Sequence, residues 1–161
     1  MPLHSNNHPL IKLNASESAL LQTVIALAQD EIGPKANEVA KQDVFAWETF
    51  KTLSDNGVIA SAFPTSYGGT AASMALRVRI IEELASVCTA AACLVTGTDL
   101  SSRPIVGHAT EAVKDLVLHD LAWGKKQAAF ALTEPAAGSD VAGLLSTYEE
   151  NANGEFVISG E

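Results

Sequence analysis

Residues 130–140, with the sequence FALTEPAAGSD, mark the point at which the character of the chain changes. Phe130 and Leu132 alternate with smaller residues, and this period of two predicts a short strand. Pro135 has no N–H to donate to a neighbouring strand, and it biases the residue before it towards extended backbone. The sequence therefore predicts a strand that begins near Phe130 and ends at Pro135 in a loop of small residues.

The loop after this strand has the composition of a ligand-contacting segment. Gly138 permits unusual backbone dihedrals and close approach of a ligand, while Thr133 and Ser139 place a hydroxyl at either end. The backbone N–H groups near Gly138 are candidates to hold an anion or a carbonyl oxygen. Such a segment suits a flat heterocycle with a polar edge, and a plain polar turn is the alternative interpretation.

The residues before position 127 are predicted to be helical, because their apolar residues recur at helical spacing and the breaks fall at Gly and Pro. The longest predicted helix, residues 71–96, is apolar on several sides and is expected at the centre of a bundle. Gly97 is expected to end it. The other predicted helices run from a cap at Asn14 or Ser16 to residue 32, from 34 to 39, from 45 to 55, from 99 or 101 to 105, and from 110 to 121 with Val113, Leu116, Val117 and Leu121 facing inward.

Two strands are predicted after the loop, at residues 144–149 and 155–159, with a hairpin turn at 151–154. The predicted fold class is therefore mainly α: an up-and-down helical bundle followed by the first strands of a β domain. The predicted domains are a loose lead-in at 1–14, a helical domain at 15–126, and the beginning of a β domain at 127–161.

The composition argues against several classes of function. Of the 161 residues only 18% are charged, against 47% apolar, which indicates apolar surface for domain or subunit contacts and hence a homo-oligomer. The net charge is −9 and the basic residues are scattered, so no nucleic-acid partner is expected. The sequence contains no apolar run of about eighteen residues, so no membrane span is expected. The first residues lack the pattern of a secretory or transit peptide, and a cytoplasmic location is expected.

Other candidate chemical groups form no recognisable site. The four histidines are dispersed, no metal site is predicted, and His119 is expected to be a partly exposed packing residue. Cys88 and Cys93 face different sides of a helix and are expected to be small buried packing residues. Glu82 and Glu83 also diverge, so they form a poor acid–base pair and are expected on a solvated or interface face.

Residues 132–140, with LTEP followed by AGSD, resemble the first signature of the acyl-CoA dehydrogenase family. Residues 63–69 (FPTSYGG) resemble the P-x-x-Y-G-G loop of this family, and residues 82–85 (EELA) resemble part of its third helix. Residues 104–107 and the predicted helix 110–121 match the run that leads into the signature. The resemblance extends from about residue 16 to the end, and we call residues 130–140 the signature loop.

The resemblance implies the fold and the activity of that family. Its members have an α-helical amino-terminal domain, a middle β domain and a carboxy-terminal four-helix domain, and this chain resembles the first and the beginning of the second. They bind FAD and oxidise the Cα–Cβ bond of acyl-CoA thioesters in fatty acid metabolism. The partners implied are an acyl-CoA substrate, an electron acceptor such as electron-transfer flavoprotein, and further copies of the chain in a dimer or tetramer.

The signature implies cofactor contacts at particular positions of this sequence. Phe130, Leu132 and Thr133 are expected against the isoalloxazine ring, with Thr133 hydrogen-bonded to its pyrimidine edge. Gly138 and Ser139 are expected to continue the FAD contact. Ser139 is also expected to approach the thioester and pantetheine end of the substrate.

Two other signature positions are expected to act on the loop itself. Ala136 stands where the family usually has Gly, which is a difference in local loop geometry. The motif does not assign the role of a base to Glu134, which is expected to be a structural hydrogen-bonding carboxylate.

The catalytic carboxylate of the family lies in its carboxy-terminal domain, so no catalytic residue is expected in this chain. Family members continue beyond the position of Glu161 with a strand that completes the flavin site. The resemblance therefore predicts that residues 1–161 are part of a longer enzyme and are inactive alone. Two alternatives stay open: a flavin-dependent monooxygenase or acyl-CoA oxidase of the same superfamily, and a non-catalytic helical interaction module without flavin.

Overall fold

The computed structural model describes residues 12–42 and 44–161, so residues 1–11 of the predicted lead-in lie outside the described part. The chain packs as two compact units, one that reaches Ala129 and one that spans Phe130–Glu161. The change of sequence pattern placed this boundary slightly earlier, at residue 127. The first unit is helical and the second contains strands, which confirms the predicted fold class.

The first unit is built from helices joined by tight turns. The helices are α1 (Ala15–Leu27), α2 (Ala36–Lys41), α3 (Trp47–Asp55), α4 (Met74–Val87), α5 (Thr89–His108) and α6 (Glu111–Ala122). α1 continues through a π-helical turn, Ala28–Ile32, and a 3₁₀ turn, Gly33–Lys35, into α2. Two more 3₁₀ turns, Ile59–Ala62 and Thr65–Tyr67, follow α3.

The start of α1 is fixed by a capping box that also reaches α4. Asn14 Oδ1 accepts a hydrogen bond from the backbone N–H of Glu17 (2.9 Å), and Glu17 Oε2 accepts one from the N–H of Asn14 (3.1 Å). Glu17 Oε1 accepts a further hydrogen bond from the N–H of Ser73 (2.9 Å), the residue whose hydroxyl caps α4. The hydrogen bonds from Ser73 and Asn14 lower the pKa of the Glu17 carboxyl. One acidic side chain therefore joins the first turns of two helices.

The prediction of a single helix over residues 71–96 is wrong, because the chain turns at Cys88. This residue has extended backbone (φ −152°, ψ 103°) between α4 and α5. α5 then continues through Gly97 and Pro104, so neither the predicted break nor the predicted short helix occurs. A glycine in a helix costs only about 1 kcal/mol relative to alanine, and tertiary packing readily outweighs that cost. The turn itself contains neither Gly nor Pro, and apolar residues keep helical spacing across it. The sequence therefore carries no local signal for this turn.

The core of the first unit combines side chains from α1, α3, α4, α5 and α6. On α6 the buried side differs from the prediction, because Leu118 is buried while Leu116 is 70% exposed and Val113 is also exposed. Leu121 faces inward as predicted. Apolar residues occur on more than one side of α6, so spacing alone does not decide which side is buried. The most deeply buried side chains include Val24, Leu53, Val58, Ile80, Leu84 and Leu118.

Two predictions about individual side chains of α4 and α5 are wrong. Glu83 is 2% exposed rather than solvated, and its Oε1 accepts a hydrogen bond from Nη2 of the buried Arg79 (2.6 Å). Glu82 is exposed, and its Oε2 accepts a hydrogen bond from Nη1 of the same arginine (2.7 Å). A buried carboxylate is tolerated when it is paired in this way, and the i, i+4 spacing is its sequence signal. Cys88 is buried as predicted, whereas Cys93 is exposed.

The second unit contains an antiparallel hairpin formed by β1 (Thr147–Glu150) and β2 (Phe156–Ser159). Tyr148 lies opposite Ile158, and residues 151–154 form the turn. The predicted hairpin is confirmed, although both strands are shorter than predicted.

The predicted strand from Phe130 to Pro135 is not present in the described part of the chain. Residues 130–133 are irregular. The residues that follow form one isolated antiparallel bridge, between Glu134 and Ala137. A strand requires a neighbour to which it hydrogen-bonds, and alternation shows only that a segment is able to pair. The strand prediction is therefore wrong for this chain.

Candidate functional site

The expected cofactor-contacting residues lie in the irregular segment that opens the second unit. Phe130 and Leu132 are 44% and 40% exposed. Thr133, Gly138 and Ser139 are exposed as well. All of these positions are therefore accessible to a ligand.

A tight turn lies between two of the expected residues. The N–H of Glu134 donates to the carbonyl oxygen of Ala137 (3.0 Å), and the N–H of Ala137 donates back to that of Glu134 (3.1 Å). Pro135 occupies the first corner of the turn, where its fixed φ is favourable. Thr133 directly precedes this pair in the sequence and Gly138 directly follows it, so the turn connects these two residues.

The side chain of Glu134 ties this turn to the residues that precede β1. Its Oε2 accepts a hydrogen bond from the backbone N–H of Leu145 (2.7 Å), and its Oε1 accepts one from that of Ser146 (3.0 Å). Hydrogen bonds from Ser146 and from Leu145 lower the pKa of the Glu134 carboxyl. The predicted role of Glu134 as a structural hydrogen-bonding carboxylate is confirmed.

Leu145 and Ser146 are residues of the site that the sequence did not reveal. They contribute backbone N–H groups, which every residue except proline carries, so their side-chain types give no signal. Leu145 also lies 11 positions away from its acceptor Glu134. The sequence does show the acidic residue Glu134, and a carboxylate that is not fully hydrated requires hydrogen-bond donors from the protein.

Several polar groups of the signature loop are open to a ligand. Within residues 12–42 and 44–161, no group forms a hydrogen bond with the backbone N–H of Gly138 or Ser139. The same holds for the hydroxyls of Thr133 and Ser139. The loop therefore presents donors that water or a bound molecule must satisfy.

The fold itself does not require glycine at position 138. A Cβ added to Gly138 would meet no atom within 4 Å, and the φ of this residue is not positive. Gly68 is the contrasting case, since its φ is +85° and an added Cβ would overlap the indole of Trp123. The absence of a side chain at Gly138 leaves space for a molecule from outside the loop.

Tyr67 forms a second polar cluster, in the first unit. Its hydroxyl donates to Oε2 of Glu111 (3.4 Å), and its ring lies edge-on to that of His119, with 5.3 Å between the ring centroids. Burial, followed by the negative charges of Glu111 and Asp115, raises the pKa of Tyr67. His119 is exposed and packs on a neighbouring ring, as predicted. The cluster holds the turn after Thr65 against α6.

Metal and membrane sites are not found in the described residues. No three His, Cys, Asp or Glu side chains there lie close enough together to hold a metal ion. No helix in the same ranges is both long enough and apolar enough to cross a membrane.

The signature loop is suited to holding a flat ring rather than to acid–base chemistry. Phe130 and Leu132 offer apolar contact area, and the open N–H and O–H groups offer donors for a polar edge. Glu134 is a poor proton acceptor, because both of its carboxylate oxygens are occupied and its pKa is lowered.

Comparison with protein families supports the resemblance seen in the sequence. Residues 14–125 match the model of the acyl-CoA dehydrogenase amino-terminal domain. The chain is 32% identical to the short-chain-specific acyl-CoA dehydrogenase of Clostridium acetobutylicum, over 92% of this chain and 39% of that protein. It is 30% identical to a probable acyl-CoA dehydrogenase of Bacillus subtilis, over 93% of this chain and 40% of that protein. The chain thus spans about two-fifths of the length of these relatives.

Solved structures show the same relationship. The butyryl-CoA dehydrogenase of Megasphaera elsdenii superposes with a TM-score of 0.82 at 27% identity, over 92% of this chain and 40% of that one. An acyl-CoA dehydrogenase of Bacillus anthracis, solved in complex with FAD, superposes with a TM-score of 0.80 at 27% identity. That match covers 92% of this chain and 26% of the solved chain.

Proposed function

This chain belongs to the acyl-CoA dehydrogenase family, and we propose that it is the amino-terminal part of an FAD-dependent acyl-CoA dehydrogenase. Such an enzyme oxidises the Cα–Cβ bond of an acyl-CoA thioester. In this proposal residues 15–126 form the helical domain and residues 127–161 begin the middle β domain. The observation that carries it is the signature loop, in which Thr133 and Gly138 flank the tight turn 134–137 and have open donors.

The residues of the loop fit the chemistry of a flavin. Phe130 and Leu132 provide apolar contacts for the isoalloxazine ring, and the Thr133 hydroxyl donates to its pyrimidine edge. The open N–H and O–H groups of Gly138 and Ser139 extend this contact. When bound, FAD supplies the capacity to accept a hydride from the β-carbon of the substrate.

The contribution of this chain to the reaction is binding and orientation. Ser139 is proposed to contact the thioester and pantetheine end of the substrate in addition to FAD. Glu134 holds no proton to transfer, because its lowered pKa keeps it ionised. We therefore assign no catalytic residue within this chain and expect residues 1–161 to be inactive alone.

Partners and assembly follow from the same proposal. The substrate is an acyl-CoA, and the reduced enzyme passes its electrons to an acceptor such as electron-transfer flavoprotein. Exposed apolar side chains of the first unit, such as those of Leu116 and Trp123, support self-association as a dimer or tetramer. A cytoplasmic location and a place in fatty acid metabolism stay predictions.

The flavin content of the purified intact protein tests this proposal. We expect a yellow protein that absorbs at about 450 nm and loses this absorbance when an acyl-CoA is added without oxygen. A protein that purifies without colour and gains no absorbance with added FAD contradicts the proposal and favours a helical interaction module. A flavin that stays oxidised with acyl-CoA but reacts with oxygen after reduction favours the monooxygenase.

A further inference from the structure

The inference concerns Glu134 and rests on the proposed function. This residue takes part in the signature loop twice, through its backbone and through its side chain. The backbone of Glu134 closes the turn with Ala137, and Thr133 and Gly138 directly flank this turn in the sequence. The side chain reaches in the other direction and holds the N–H groups of Leu145 and Ser146.

The negative charge of Glu134 suits its side chain to hold the N–H groups of Leu145 and Ser146. Two backbone N–H groups converge on one carboxylate, and hydrogen bonds to an ionised acceptor are about twice as strong as neutral ones. Each N–H bonds a different carboxylate oxygen, whereas a glutamine in the same position would turn its NH₂ group towards one of the two N–H groups and lose that hydrogen bond. The lowered pKa of Glu134 is consistent with the need for the ionised form.

The anchored turn fixes one end of the segment whose donors are open. Ala137, at the end of the turn, is buried, whereas Gly138 and Ser139 directly after it are exposed. The segment is fixed again at Asp140, whose carbonyl oxygen accepts a hydrogen bond from the N–H of Gly143 (3.0 Å). The direction in which the N–H groups of Gly138 and Ser139 point therefore depends on these two fixed ends.

We propose that Glu134 is a positioning residue for the flavin: its carboxylate, held by Leu145 and Ser146, sets the orientation of the donors at Thr133, Gly138 and Ser139. It acts through the loop and does not contact the reacting atoms. A change at Glu134 therefore alters the hydrogen bonds that the bound flavin receives as well as the stability of the unit.

The test compares Glu134→Gln with Glu149→Gln in the intact protein. Glu149 lies on β1, is exposed, and forms no side-chain hydrogen bond with the residues that the structure describes, so it controls for the loss of one charge in the same unit. We expect Glu134→Gln to weaken FAD binding at least about tenfold, and Glu149→Gln to leave it unchanged. At saturating FAD, we expect the flavin absorption spectrum and reduction potential of Glu134→Gln to differ from the wild type.

Four results overturn the assignment, and only the last of them also overturns the proposed function. Wild-type affinity in Glu134→Gln shows that the carboxylate does not position the loop. Weaker binding with a wild-type spectrum and potential at saturation assigns Glu134 to stability alone, as does loss of folding in both Glu134→Gln and Glu134→Asp. A wild-type protein that binds no FAD overturns the proposed function, and this inference with it.

Discussion

Glu134 Oε1 lies 3.0 Å from the backbone nitrogen of Ser146, and this hydrogen bond joins the signature loop to the residues that lead into β1. Together with the hydrogen bond from the N–H of Leu145 to Oε2, it adds to the two backbone hydrogen bonds between Glu134 and Ala137 that close the turn at Pro135. The short second unit therefore depends on one carboxylate for a contact between segments distant in sequence.

Residues 1–161 alone should bind FAD weakly. Under the proposed function, the signature loop supplies one side of the flavin site, and a ring contacted on one side keeps most of its surface in water. Each 1.4 kcal/mol of lost contact is about a tenfold loss of affinity, so we expect a Kd of roughly 1 mM or weaker. Calorimetric titration measures this value, and a micromolar Kd would show that the loop is a complete site.

Retention of FAD by the intact protein should fall in acid, and Glu134→Gln should reduce this dependence. The ionised Glu134 stabilises the loop above its usual carboxyl pKa of 4.5, and this contribution is lost as the pH falls through the lowered pKa of the folded protein. Glu17, Glu111 and Asp120 also have lowered pKa values, so wild type and variant share a loss of stability in the same range. Flavin fluorescence measured against pH for the wild type and for Glu134→Gln isolates the contribution of Glu134. Superimposable curves for the two proteins would contradict the prediction.

Glu17→Ala should destabilise the first unit by about 1–2 kcal/mol, because it removes the capping box of α1 and an acceptor for the N–H of Ser73. Urea unfolding followed by circular dichroism measures the change. Glu31→Ala is the control, since Glu31 is exposed and forms no side-chain hydrogen bond within the described ranges. Equal free energies of unfolding for the two variants would show that Glu17 does not link the helices.

Glu83→Ala should cost about 3 kcal/mol or more of unfolding free energy, whereas Glu82→Ala should cost less than about 1 kcal/mol. Both carboxylates bond the same guanidinium of Arg79, but Glu83 is buried and Glu82 is 47% exposed on its side chain. The two variants remove the same chemical group from an exposed and from a buried position, so the difference between their unfolding free energies reports the effect of burial. Similar costs in thermal or urea unfolding would contradict the burial of this pair.

Local signals in the sequence predicted the parts of the fold that depend on local interactions. The cap at Asn14 and the hairpin turn at 151–154 are of this kind, since each involves side chains or turns within a few residues. The turn at Cys88 was not predictable, because it is set by the packing of α4 against α5 and contains no Gly or Pro. Alternation at residues 130–133 predicted a strand, but these residues pair with no strand among the residues that the structure describes.

The candidate site divides in the same way. Residue types identified Thr133, Gly138 and Ser139 as a group, and the structure leaves their donors open. The contribution of Leu145 and Ser146 required the structure, because backbone N–H groups have no sequence signature. The family resemblance supplied the flavin, which the residues alone did not name.

The ratio of bound FAD to protein in Gly138→Val tests most directly whether the glycine at position 138 serves the cofactor rather than the fold. A Cβ added at Gly138 meets no atom within 4 Å and the φ there is not positive, so the variant should unfold at nearly the wild-type temperature. Gly68→Val is the matched control and should lose stability, because a Cβ there overlaps Trp123 and the φ is positive. We predict that purified Gly138→Val retains wild-type stability and loses most of its FAD. A full complement of FAD in a folded Gly138→Val protein would contradict the account.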